Sequence, residues 1–170
     1  ETLVSLSELG WIDDIEIPEL PDKEDTRVLW HWLSRNVSSD YLNFVEGAYW
    51  SSNWNDTSRE KNRDNCLDQL SKKKIDLMFA FGTWAGLDLA NNDRSVPTMI
   101  MSTSDPVSAG IVKSVQDSGF DHVVAECDPT RYIRQIQLFH DIIRFKRLGI
   151  IYEDTPVGRS YANLEDLKKV

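Results

Sequence analysis

The chain has no stretch of about 18 apolar residues, which is the minimum for a helix that crosses a bilayer. It has only two cysteines, Cys66 and Cys127, far apart and without CxxC spacing. Each reads as a buried free thiol rather than a metal ligand or half of a disulfide, and neither reports the compartment. The three histidines, His31, His122 and His140, have no second ligand three or four residues away, so they read as structural or surface side chains rather than a metal set. There is no G-x-S-x-G elbow, no P-loop and no G-x-G-x-x-G fingerprint. With 8 Gly and 6 Pro in 170 residues, long disorder is not expected. Cations are scarce: 19 Lys and Arg face 28 Asp and Glu, for a net charge of -9. Such a chain is a poor candidate for holding a nucleic-acid backbone, which needs clustered Lys and Arg. The run Lys72-Lys73-Lys74 stands alone at a helix end, where cations suit the dipole. No initiating Met and no leader precede Glu1-Thr2-Leu3, which falls inside a helical pattern, so processing or excision from something longer is expected.

What is present centres on residues 75–110. Two apolar runs, Ile75–Phe81 and Val96–Met101, have the length of buried strands. The first exits through Gly82-Thr83-Trp84-Ala85-Gly86 and the second through Ser102-Thr103-Ser104-Asp105-Pro106, each into a helix-like segment. Strands alternating with helices predict an α/β fold: a mainly parallel sheet with helices on both faces. Ligands of open parallel sheets bind outside the carboxyl ends of the strands, so these two turns are the first place to look for function.

The rest of the chain extends this pattern. Helices are expected over residues 1–9, from Asp25 or Thr26 to about Asn36, over Thr57–Lys73 with Cys66, Leu67 and Leu70 inward, and from Asp105 to about Ser118. A long helix is expected over Pro129–Arg144, with Ile133, Ile136, Leu138, Phe139, Ile142 and Ile143 apolar, and a last one over Arg159–Val170. Tyr41–Trp50, His122–Cys127 and Leu148–Tyr152 read as further strands, and Trp11–Ile17 as a short strand or extended arm. Tyr41–Trp50, Ile75–Phe81, Val96–Met101 and His122–Cys127 are expected to share one sheet. Pro129 is the best candidate for a boundary between lobes.

Three features bear on function. Gly82 lets the backbone turn and approach a ligand, and Thr83 adds a hydroxyl. Ser102-Thr103-Ser104-Asp105 places four hydrogen-bonding side chains at a strand end and helix start, where exposed N–H groups favour a carboxylate or another anion. The Asp105 carboxylate would instead suit a ligand amine, or serve only as a helix cap. Trp50, Trp54 and Trp84 each follow a predicted strand, as edges of the core or as walls for an apolar ligand group. No nucleophile–base pair or metal set is visible, which disfavours an enzyme.

The ordered set Gly82-Thr83, Ser104-Asp105-Pro106-Val107, Ala109-Gly110-Ile111-Val112, Gly149-Ile150-Ile151-Tyr152 and Asp154-Thr155-Pro156 resembles the substrate-binding proteins of ABC transporters, of the tryptophan- and tyrosine-binding type. The likeness covers roughly Tyr41 to Val170. It implies a type 1 periplasmic-binding-protein fold, in which two Rossmann-like three-layer lobes close on a small ligand. Residues 1–128 would be the first lobe, with its first strand missing and an insertion at about 13–40, and residues 129–170 the start of the second. An incomplete two-lobed protein is therefore expected. Trp84 stands where the family has a small residue or Pro.

Carried over, the ligand-facing positions are Thr83, Ser104 and Asp105, with Tyr152 and Thr155 from the second lobe; Gly82 and Trp84 join them as ligand-binding candidates on their own chemistry and place in the turn. The implied function is capture of a small organic molecule, possibly an amino acid or small carboxylate, without catalysis, cofactor or metal. The implied partner is the membrane permease of an importer. The implied location is periplasmic or extracellular, with anchoring by a segment outside this chain. The alternative is an extracellular sensor domain coupled to a signalling output domain.

Overall fold

The computed structural model describes residues 2–19 and 26–170. The chain divides into two compact units, Glu1–Ile75 and Asp76–Val170, so residues 129–170 lie in the same unit as the sheet. The expected cap Asp25 lies outside the described residues.

Among the described residues the first unit is helical where it is regular: α1 (Thr2–Glu8), α2 (Arg27–Asn36) and α3 (Asp56–Ser71). Asn55 caps α3 by accepting from the Ser58 N–H at 2.9 Å. Ile12, Leu33, Cys66, Leu70 and Ile75 are buried. The segment Tyr41–Trp50 is not a strand, which corrects the expectation that it joins the sheet. Its aromatics serve side-chain packing instead. Trp30 of α2 meets Phe44 edge-on at 5.5 Å and donates its indole N–H to the Val45 carbonyl at 3.0 Å. A turn closed by Ala48 N–H to the Val45 carbonyl then breaks the run before a ladder could form. Trp11–Ile17 is not a strand either; its Asp13 N–H bonds the Ser38 carbonyl at 3.2 Å outside any ladder.

The second unit holds β1 (Met78–Phe81), α4 (Thr83–Leu89), β2 (Thr98–Met101), β3 (Val123–Ala125), α5 (Arg131–Ile143), α6 (Pro156–Tyr161) and α7 (Leu164–Leu167). The three strands form one parallel sheet in chain order, with Met78 opposite Thr98 and Thr98 opposite Val123. Mixed helix and parallel strand make this an α/β unit, as expected. Burial alternates along the strands. Met78, Ala80, Thr98, Ile100 and Val123 are buried, while Phe81, Met99 and Val124 are exposed on the other face. The near-continuous apolar runs had implied that both faces are covered; here one is.

Gly86 explains how α4 reaches the covered face. A Cβ at that position would lie 2.8 Å from Ile111 and 3.1 Å from Ile100, so a larger residue would push these side chains aside. Ile100 and Ile111 are the largest fully buried side chains.

Three further expectations are corrected. Residues 105–118 form one helical turn rather than a helix. Gly110, at φ +75°, ends that turn: its N–H bonds the Val107 carbonyl while the Ile111 N–H reaches the Pro106 carbonyl, a Schellman stop. Leu148–Tyr152 is not a strand and pairs with none of the described residues' ladders. The last helix is two short ones, parted at Asn163, which sits in the left-handed region at φ +51°. The long helix expected over Pro129–Arg144 is present as α5, but none of its apolar positions is buried.

Candidate functional site

The strand β1 ends at Phe81, and Gly82 turns the chain into α4. Gly82 has φ +88° and ψ 166°, a conformation open essentially to glycine alone. Thr83 follows as the first residue of α4. It is buried, and its hydroxyl has no hydrogen-bond partner among the described residues. On the neighbouring strand, β2 ends at Met101 and Ser102 turns the chain with φ +55°. Thr103 is buried, and its hydroxyl too is without a partner among the described residues. The register Phe81 to Met101 puts these two turns side by side at the carboxyl edge of the sheet, and Gly82 donates its N–H to the Met101 carbonyl at 2.9 Å. A buried hydroxyl ordinarily finds a partner, so two orphans at one sheet edge call for explanation.

Ser104 is half-buried between Thr103 and Asp105. Asp105 caps the short turn that follows. Its Oδ1 accepts from the N–H groups of Val107 and Ser108, at 3.0 Å each, and its Oδ2 accepts from the Ser108 hydroxyl. The capping role anticipated for Asp105 is therefore filled, although no α-helix follows. Trp84, in α4, is half-buried. Trp50 and Trp54 do not follow a strand: Trp50 bonds Asn65 of α3 through its indole N–H, and Trp54 is exposed.

Tyr152 and Thr155 come from the loop before α6. Tyr152 is exposed. The Thr155 hydroxyl accepts from the Gly158 N–H at 3.0 Å and caps α6, with Pro156 at its first position. A Cβ on Gly158 would lie 2.2 Å from the Glu153 carbonyl oxygen, so this loop closes only around glycine.

The helix α6 is tied to the Asp105 turn, because the Ser160 hydroxyl donates to the Asp105 carbonyl at 3.2 Å. Between them lies a cavity of about 290 Å³, lined among others by Asp105, Ser108, Arg159, Ser160, Glu165 and Asp166. Of the residues singled out from the sequence, only Asp105 reaches it. Gly82, Thr83, Trp84, Ser104, Tyr152 and Thr155 do not line it. The charges around it are matched locally: Arg159 with Asp154, Lys168 with Glu165 at 2.7 Å, and Lys169 with Asp166 at 2.9 Å. Sequence reasoning missed Ser160, Glu165 and Asp166. They sat on the polar side of what read as a single helix, and nothing in their spacing marked an approach to Asp105.

Cys127 follows β3. Partial burial, then the carboxylates of Asp105 and Glu126, hold its thiol above the ordinary range. That makes it a poor nucleophile at neutral pH. Among the described residues no group of three His, Cys, Asp or Glu could hold a metal ion. What the sheet edge offers chemically is therefore hydrogen bonding: two unpartnered hydroxyls and a tightly turned backbone. In comparisons with known proteins, the chain matches no family model, no curated protein and no solved structure at a significant level.

Proposed function

We propose that the chain captures a small organic solute at the carboxyl edge of its parallel sheet, as the substrate-binding proteins of ABC importers do. The observation that carries this reading is the pair of buried, unpartnered hydroxyls of Thr83 and Thr103 at the ends of adjacent parallel strands. A hydroxyl left unpaired in the interior costs free energy, and a ligand carboxylate or amide can supply the missing partner. Gly82 and Ser104 contribute the adjoining turns, Trp84 an aromatic wall, and Asp105 a carboxylate for a ligand amine. Tyr152 and Thr155 complete the reading from the loop before α6. The ligand class that suits such groups is an amino acid or small carboxylate. The corresponding partner is a membrane permease, and the corresponding location is the periplasm or cell exterior.

A melting-temperature screen of amino acids and small carboxylates tests the reading. A ligand at a hundred times its Kd should stabilise the fold by about 2.7 kcal/mol. With that ligand in hand, Thr83→Val and Thr103→Val separate binding from structure. Each change removes a hydroxyl that bonds nothing among the described residues, so the unliganded melting temperature should hold. Affinity should fall by roughly two- to tenfold per hydroxyl. A screen with no response, or valine variants that bind like the parent, would sink the proposal.

A further inference from the structure

The helix α5 packs against α7 yet leaves much of its apolar face exposed. Phe139 and Ile143 are each 60% exposed and Ile142 is 73% exposed, while Ile151 in the loop beyond is fully exposed. Apolar surface gathered this way ordinarily marks an interaction site. Phe139 and Ile143 belong to a continuous surface. Tyr132, Ile136, Phe139, Ile143, Phe145 and Leu148 line one open groove of about 490 Å³ between α5 and α7.

Charge decides what fits there. The chain as a whole carries -9, yet residues 131–147 hold Arg131, Arg134, Arg144, Lys146 and Arg147 against Asp141 alone. Arg134 is held by Asp128 at 2.7 Å and Arg144 by Asp141 at 3.3 Å. Lys146 and Arg147 have no ion pair among the described residues. A second copy docking face to face would set this cationic segment against itself, which like-charge repulsion opposes. An acidic surface with an apolar interior suits it on both counts. Helix length sharpens the choice further. Thirteen residues span about 20 Å, short of the roughly 30 Å hydrocarbon core, and no described helix is long and apolar enough to cross a membrane. A basic amphipathic helix of this kind lies in the interfacial plane with its apolar side chains inserted.

We infer that α5 and the segment 145–152 form a docking face for an anionic lipid bilayer. This inference does not depend on the solute-binding reading. In it, Phe139, Ile142, Ile143, Leu148 and Ile151 enter the acyl boundary while Lys146 and Arg147 meet the headgroups.

Sedimentation of the full chain with vesicles tests it. Vesicles of phosphatidylcholine and phosphatidylglycerol in equal parts should carry the protein down, and pure phosphatidylcholine should not. Added salt should release it. Lys146→Gln together with Arg147→Gln should weaken partitioning about thirtyfold. Ile142→Ser should weaken it about tenfold or more, with an unchanged circular dichroism spectrum because the side chain is exposed in the free protein. Failure to bind anionic vesicles would overturn the proposal. So would equal binding to neutral ones, or binding that ignores the Lys146 and Arg147 changes. Sedimentation velocity showing a dimer that Ile142→Ser dissociates would assign the face to a second copy instead, and would overturn it as well.

Discussion

Gly82 shows how much one residue fixes at the sheet edge. Its backbone angles belong to a region that side-chain-bearing residues avoid, and the turn from β1 into α4 depends on it. Gly82→Ala should therefore destabilise the protein by about 1–3 kcal/mol, read as a lower urea midpoint at unchanged slope. The need for glycine here was legible in the sequence, since Gly directly follows an apolar run and precedes a helical one. The cap at Asp105 was legible for a similar reason: Asp-Pro is a helix-start signature. The orphaned hydroxyls of Thr83 and Thr103 were not. Whether a hydroxyl finds a partner depends on neighbours from other segments, and no local pattern encodes it.

At the scale of elements, periodicity located β1, β2, β3, α2, α3 and α5, and it failed where another force decided the backbone. Tyr41–Trp50 has strand composition, but its aromatics pack on Trp30 and its backbone turns at Val45. Leu148–Tyr152 has strand composition with no neighbouring strand to pair with, and propensity alone does not make a ladder. The helix expected after Pro106 stops at Gly110, whose role as a terminator competes with its place in an apolar pattern. The start of α5 carries a testable ion pair. Hydrogen bonds from Arg134 and then from the Thr130 N–H hold the Asp128 carboxyl below its ordinary range. Lys113 does the same for Asp117, helped by the Gly119 N–H. A carboxylate with a depressed folded pKa stabilises the fold above its unfolded value, near 4, and that contribution is lost as pH falls through the folded value. The urea midpoint should therefore drop as pH is lowered from about 5 to 3. Arg134→Gln should flatten part of that drop while lowering the midpoint at neutral pH. Because both pairs are on the surface, added salt should shrink the effect.

Over the whole molecule, the sequence pattern anticipated an α/β chain with parallel strands, and the structure has one in residues 76–170. The extent of the sheet was less legible. Four strands were expected together and three are present among the described residues, because the pattern reports burial and not which segments meet. The fully parallel arrangement of those three has a consequence for how the unit assembles in time. No hairpin is available as a seed. Met78 must find Thr98, 20 residues on, and Thr98 must find Val123, 25 residues on. The entropy of closing loops so alike in length differs by only about 0.2 kcal/mol, so neither pairing has a head start. Both pairings need β2, which makes the central strand the place where the search converges. Ile100, fully buried at its centre, should then be ordered early. Ile100→Val, at a cost of about 0.5–1.5 kcal/mol, should slow refolding more than it speeds unfolding in stopped-flow measurements. If the loss falls on the unfolding rate instead, the strands meet only after the rate-limiting step, and α4 with its glycine contact to Ile100 becomes the part that sets the pace.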